Sequence, residues 1–66
     1  MKLRITSEGK ELGVFENECE LVAKDMMRKA AIKSLMKASK PIKVVYEKWN
    51  NLIKDWVEFG VMEGKL

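Results

Sequence analysis

Regularly spaced basic side chains are the residues of this sequence best suited to chemistry, and that chemistry is anion binding. Lys29, Lys33 and Lys37 recur every four residues within the stretch from Arg28 to Lys43, which contains no acidic residue. On a helix this spacing places the three ammonium groups on one side. Such a row can follow a phosphate backbone and release its condensed counterions. The pattern predicts a nucleic-acid partner, with duplex DNA favoured. The predicted contact residues are Arg28, Lys29, Lys33, Lys37, Lys40 and Lys43.

A solvent-facing helix explains the same lysines without any ligand. Lysines opposite an apolar stripe are typical of soluble amphipathic helices, and lysines in a last turn complement the helix dipole. The distribution of charge favours a binding patch. Residues 24–48 hold eight basic and two acidic side chains, whereas the segments before and after carry net charges of −2 and −1. The positive charge therefore belongs to one third of the chain.

Catalysis is not expected from this composition. The chain has no histidine, which removes the commonest general base and the commonest zinc ligand. Its single cysteine, Cys19, lies between Glu18 and Glu20 with no basic neighbour, which favours a buried structural thiol. There is no glycine-rich phosphate loop. We therefore expect a protein that is not an enzyme and that uses no metal and no cofactor.

The length of 66 residues allows one domain with a thin core. No signal peptide and no membrane-spanning stretch is recognisable, so we expect a cytoplasmic protein without a membrane partner.

The first predicted element is a hairpin over residues 2–15. Leu3 and Ile5 alternate with polar residues, as do Leu12 and Val14, and Gly9 supplies the turn between the two runs.

A helical region is predicted over residues 17–38. Asn17 and Glu20 have the spacing of a capping box, which indicates a helix start. Its apolar residues form two stripes, on nearly opposite sides of a continuous helix. The first comprises Cys19, Val22, Ala23 and Met26, and the second Ala31, Ile32, Leu35 and Ala38. One helix between two partners and two helices broken near residues 26–28 both fit.

The C-terminal third is predicted as a helix over residues 42–59. Its apolar residues keep helical spacing from Ile42 to Phe59, and Gly60 is a natural residue for ending a helix. A strand over residues 42–46 is the rival interpretation, with a helix then starting at Asn50-Asn51. Residues 60–66 are predicted to be a frayed tail.

The stretch GKELGVFENECELVAKDMMRKAAIKSLMKASKP resembles the DNA-binding repeat of intron-encoded homing nucleases. The matching features are a hairpin turn at Gly9-Lys10, a strand ending in Phe15, a first helix with Glu20, a second helix with Ile32, and an exit at Lys40-Pro41. The resemblance implies a helix-turn-helix with its turn at residues 26–29. It also implies a DNA-facing set of Arg28, Lys29, Lys33 and Lys37.

The last predicted helix also offers an alternative function. Its aromatic and aliphatic residues share one stripe, which fits core packing or a surface that docks onto a second copy or another protein. The residues of this alternative are Trp49, Leu52, Ile53, Trp56 and Phe59. Small phage or mobile-element proteins have a similar size, which is an analogy only.

Taken together, the patterns predict one small α+β domain in which an N-terminal hairpin packs on two or three helices. The leading functional hypothesis is a non-catalytic DNA-binding regulator.

Overall fold

The computed structural model describes residues 1–64, which form a four-stranded antiparallel sheet and one helix. The elements are β1 (Lys2–Ser7), β2 (Lys10–Glu16), α1 (Glu20–Lys37), β3 (Ile42–Asn50) and β4 (Asp55–Gly64). The strand order is β2-β1-β3-β4, so the two hairpins lie side by side and β1 pairs with β3 in the centre. The helix connects the hairpins and covers one face of the sheet, which leaves the other face open.

The first hairpin is closed by the turn Ser7-Glu8-Gly9-Lys10. Its two central residues have positive φ, 54° for Glu8 and 79° for Gly9, as in a type I′ turn. The register between β1 and β2 shifts by one residue, because Ile5 pairs with Gly13 and Thr6 pairs with Glu11. Leu12 is therefore the extra residue of a β-bulge.

The helical region is one continuous helix of 18 residues. No turn interrupts residues 26–29, where the homing-nuclease resemblance implies one. The helix begins after Cys19, and Asn17 Oδ1 accepts a hydrogen bond from the Cys19 backbone N–H at 2.8 Å. The predicted capping box between Asn17 and Glu20 is not formed, and the N-cap Cys19 makes no side-chain cap. The prediction of a buried thiol is also wrong, since Cys19 is exposed.

The core lies between the helix and the central strands. Leu3, Ile5 and Val44 point at the helix from the sheet. The helix contributes a stripe at four-residue spacing, made up of Ala23, Met27, Ala31 and Leu35. The two alanines bring the helix close to the sheet. This stripe combines Ala23 of the first predicted stripe with Ala31 and Leu35 of the second, whereas Val22 of the first stripe is exposed.

The prediction of a C-terminal helix over residues 42–59 is wrong, because this segment is the hairpin of β3 and β4. The chain therefore has one helix among its described residues, and the predicted packing on two or three helices is wrong as well. The β-branched residues of Ile42–Val45 favour a strand over a helix. The predicted tail is also corrected, since residues 60–64 belong to β4; residues 65 and 66 lie outside the described part of the chain.

Within residues 1–64, no helix combines the length and the apolar character needed to cross a membrane.

Candidate nucleic-acid interface

The outer surface of α1 carries four of the six basic residues predicted to contact nucleic acid. Arg28, Lys29, Lys33 and Lys37 are all exposed. They point outward because the inner side of the helix is taken up by the core stripe from Ala23 to Leu35. The helix as a whole has five basic and two acidic residues, for a net charge of +3.

Two lysines of the helix are held in ion pairs one turn away. Lys29 Nζ lies 3.0 Å from Asp25 Oδ2, and Lys24 Nζ lies 3.1 Å from Glu20 Oε1. The hydrogen bond and charge of Lys24 lower the pKa of Glu20. Exposed pairs of this type contribute little to stability and open readily to a competing anion.

The remaining basic groups of the helix surface form no ion pair among the described residues. These groups are Arg28, Lys33 and Lys37. An incoming phosphate therefore meets three unpaired cations along the helix, with Lys29 beside them.

Lys40 and Lys43, the last two residues predicted to contact nucleic acid, lie in different parts of the structure. Lys40 follows the helix in the loop before β3 and lines a surface groove together with Lys37. Lys43 lies in β3 opposite Glu63 of β4. Since Val44 faces the helix, its neighbour Lys43 points to the open face of the sheet. Lys43 is therefore not part of the helix surface.

The open face of the sheet has the opposite sign of charge. Strand register places three basic and five acidic residues on it, for a net charge of −2. These residues are Lys2, Arg4, Lys43, Glu11, Glu16, Glu47, Glu58 and Glu63. The molecule is about 15 Å thick along its shortest axis. Positive and negative surfaces are thus on opposite sides of a thin domain.

An ion-pair network at the centre of the open face was not predicted. Arg4 Nε donates to Glu47 Oε1 at 2.7 Å, and the Arg4 guanidinium lies 4.5 Å from the ring centroid of Trp56. Glu11 is 4.0 Å from the same guanidinium. The only sequence signal for this network is that Arg4 alternates with Leu3 and Ile5. That alternation predicts the face of the sheet on which Arg4 lies, but it does not predict which side chains Arg4 contacts.

The five residues of the alternative protein-docking stripe do not form one surface. Trp49 and Trp56 make an edge-to-face pair with ring centroids 5.4 Å apart. Phe59 instead lies near Tyr46, with centroids 6.2 Å apart. Leu52 and Ile53 stand at the tip of the second hairpin, where they are 94% and 62% exposed. The stripe was predicted for a helix. Because the segment is a hairpin instead, its five residues lie in three different places.

Local hydrogen bonds support the turn at the hairpin tip. Asn50 Oδ1 accepts hydrogen bonds from the backbone N–H groups of Leu52 at 2.9 Å and Ile53 at 3.4 Å. Lys54 has a φ of 52°, in the left-handed region that closes the turn. Trp49 Nε1 donates to Asn51 Oδ1 at 2.8 Å. The two aliphatic side chains are therefore displayed from an ordered loop.

Tyr46 lies in β3, on the face of the sheet that packs against the helix. Its hydroxyl is buried and has no hydrogen-bond partner among the described residues. Burial raises the pKa of Tyr46, and the positive charge of Arg28 opposes part of that rise.

Among residues 1–64, no group of three or more Cys, Asp or Glu side chains is arranged to hold a metal ion. No family model, no curated protein and no solved structure matches the chain.

Proposed function

We propose that this protein binds duplex DNA without catalysing a reaction, through phosphate contacts made by the outer surface of α1. The observation that carries the proposal is the separation of charge between the basic helix surface and the acidic open face of the sheet. A polyanion is attracted to one side of the domain and repelled by the other. Only one orientation is then favourable.

The residue types suggest recognition of the phosphate backbone more than of base sequence. Lysine contacts a phosphate as a point charge, and Arg28 is the only guanidinium on the helix. An 18-residue helix is about 27 Å long, which matches a row of several phosphates. We propose a small cytoplasmic regulator that acts by occupying DNA.

The salt dependence of binding gives a quantitative test. The three unpaired cations Arg28, Lys33 and Lys37 would neutralise about three phosphates. If Lys29 and Lys40 also contact the DNA, the number rises to about five. The slope of log K against log salt is then about −2.7 to −4.5. Affinity should fall by roughly 40- to 500-fold between 50 and 200 mM salt. Fluorescence anisotropy with a labelled short duplex measures this slope.

Charge-reversal variants locate the contact. The double variant Lys33→Glu, Lys37→Glu should abolish binding, because both cations lie on the helix surface. The matched control Lys43→Glu, Lys54→Glu changes the net charge equally but lies outside that surface, and should keep most of the affinity. Equal losses in the two variants, or a salt slope near zero, would contradict binding through the helix.

A second candidate function is docking onto another protein through the tip of the β3–β4 hairpin. The observation that favours it is the near-complete exposure of Leu52 on an ordered loop. Burying two aliphatic side chains against a partner would be worth roughly 3–6 kcal/mol before the entropy of association is subtracted. The hydrogen bonds of Asn50 support the conformation of the loop, which reduces the conformational entropy lost on binding.

The docking hypothesis is tested with the double variant Leu52→Ser, Ile53→Ser. Both side chains are exposed, so the fold should be unaffected. Sedimentation equilibrium reports a homodimer, and a pull-down from nuclease-treated extract reports a protein partner. Association that is equally strong in the variant would rule out the hairpin tip as the contact.

A further inference from the structure

A surface groove lies where the end of α1 meets the turn of the first hairpin and the start of β3. Its volume is about 410 Å³. Three of its lining residues, Leu12, Ala38 and Ile42, are apolar, and we call them the floor. Three others are basic, Lys10, Lys37 and Lys40, and we call them the rim. Ser7, Glu8 and Ser34 complete the lining.

The three rim lysines come from three different elements. Lys10 begins β2, Lys37 ends α1, and Lys40 belongs to the loop before β3. None of them makes an ion pair within residues 1–64. Glu8 is the one acidic residue among the described residues that line the groove. The helix C-terminus adds about half a negative charge, so the rim keeps a net positive charge.

The floor depends on the bulge in β2. The register shift makes Leu12 the unpaired residue of that strand, and a bulge redirects the side chain it carries. Leu12 is 39% exposed, so its side chain is partly buried and partly available to a ligand. Ile42, which also lines the groove, is half-buried. Leu12 and Ile42 therefore offer apolar surface to an aliphatic side chain of a partner.

We propose that this groove binds an acidic peptide segment of a partner protein, with one aliphatic side chain on the floor and flanking carboxylates on the lysine rim. Charge complementarity requires an anionic ligand. No aromatic ring is found among the described residues that line the groove, so an unstacked base of a nucleic acid would gain no stacking from them. The groove is wide open to solvent, and such a shape suits a peptide better than a small molecule, which is usually enclosed.

This inference does not depend on DNA binding. Lys37 and Lys40 belong to both surfaces, but Lys10 and Leu12 belong to the groove alone. If both proposals hold, the peptide and DNA compete for the protein.

The test is an amide-resolved NMR titration with a short synthetic peptide in which one leucine is flanked on both sides by glutamates. We expect saturable shifts centred on Lys10, Leu12 and Ile42. Lys10→Glu should weaken binding about tenfold, because it replaces an attraction with a repulsion. Lys54→Glu is the matched control at the far hairpin tip, and should change the affinity little.

Two further experiments test the contribution of the floor separately from that of the rim. A peptide with serine in place of leucine should bind about tenfold more weakly, as expected for losing one buried aliphatic side chain. Leu12→Ser should weaken peptide binding and leave the salt slope for duplex DNA unchanged. Equal binding of the leucine and serine peptides, or shifts spread over the whole basic surface, would overturn the proposal. DNA binding without peptide binding would overturn it while leaving the proposed function standing.

Discussion

Replacing Tyr46 by phenylalanine should stabilise the protein. The Tyr46 hydroxyl is buried and has no partner among residues 1–64, whereas its ring packs against the core. The substitution Tyr46→Phe would keep the ring and remove the unsatisfied group. A buried hydroxyl without a partner costs about 1–3 kcal/mol, and we take about 1 kcal/mol because Tyr46 is only half-buried. Unfolding of 66 residues has an entropy of about 0.14 kcal/mol/K, so the melting temperature should rise by about 7 °C.

We also expect Tyr46 to cause a loss of stability at alkaline pH. Burial raises the pKa of Tyr46 in the folded state, so the folded protein holds the phenolic proton more tightly than the unfolded chain does. The unfolded chain then binds fewer protons above its own pKa of about 10, and stability falls as the pH rises from there through the folded pKa. Tyr46→Phe should not show this part of the loss.

Tyr46 is the only tyrosine in the chain, so tyrosinate absorbance reports this pKa directly. We expect a midpoint above the ordinary value of about 10. Arg28→Gln should raise the midpoint further, because the Arg28 charge favours the phenolate. Urea unfolding of both proteins at pH 7 and above pH 10 supplies the free energies. A midpoint at or below 10, or a phenylalanine variant less stable than the natural protein at pH 7, would refute the reasoning.

Three other substitutions test the fold, each by urea unfolding at pH 7. Cys19→Asp should stabilise by about 1 kcal/mol, because the N-cap has extended backbone geometry but no side-chain cap; no gain would mean that the helix starts elsewhere. Glu8→Asn should stabilise by about 0.5–1 kcal/mol, since asparagine tolerates the positive φ that glutamate adopts there; a loss would argue against the type I′ turn. Leu35→Ala should cost about 2–5 kcal/mol and leave much of the protein unfolded, whereas Met36→Ala next to it, at an exposed position, should change stability by less than about 0.5 kcal/mol. Similar effects at positions 35 and 36 would place the core stripe elsewhere.

The first hairpin was predictable because its local signals agree. Leu3 and Ile5 alternate with polar residues, and Gly9 stands where the turn needs positive φ. The helical region was predicted to begin at Asn17, and the helix begins three residues later at Glu20. In both places, short-range chemistry decides the structure.

The second hairpin was not predicted because the apolar residues of its first strand also fit the spacing of a helix. Ile42, Tyr46 and Trp49 fit a helical stripe, yet in the structure Tyr46 faces the helix while Trp49 pairs with Trp56 across the strands. The turn at residues 51–54 contains neither glycine nor proline, and it is closed by a lysine with positive φ instead. Without a recognisable turn, the longer helical pattern was preferred.

The buried stripe of the helix was also hidden from sequence reasoning. Ala23 was assigned to one stripe and Ala31 and Leu35 to another on the opposite side, whereas Met27, which completes the buried stripe, was assigned to neither. Val22 was assigned to the first stripe, although it is 43% exposed. Only the position of the sheet decides which side of this helix is inside. The basic surface could be predicted because Lys29, Lys33 and Lys37 follow the helix period wherever the core lies.

The central pairing of β1 with β3 has a consequence for how the chain folds. Leu3 lies opposite Lys48, so the sheet closes only when segments more than 40 residues apart have met. Loops of that length are entropically costly to close, and folds dominated by distant contacts fold in milliseconds to seconds. A fragment that ends before β3 would lack Val44 and the strand beside β1. We therefore expect residues 1–41 alone to remain unfolded and the full chain to fold in one cooperative step.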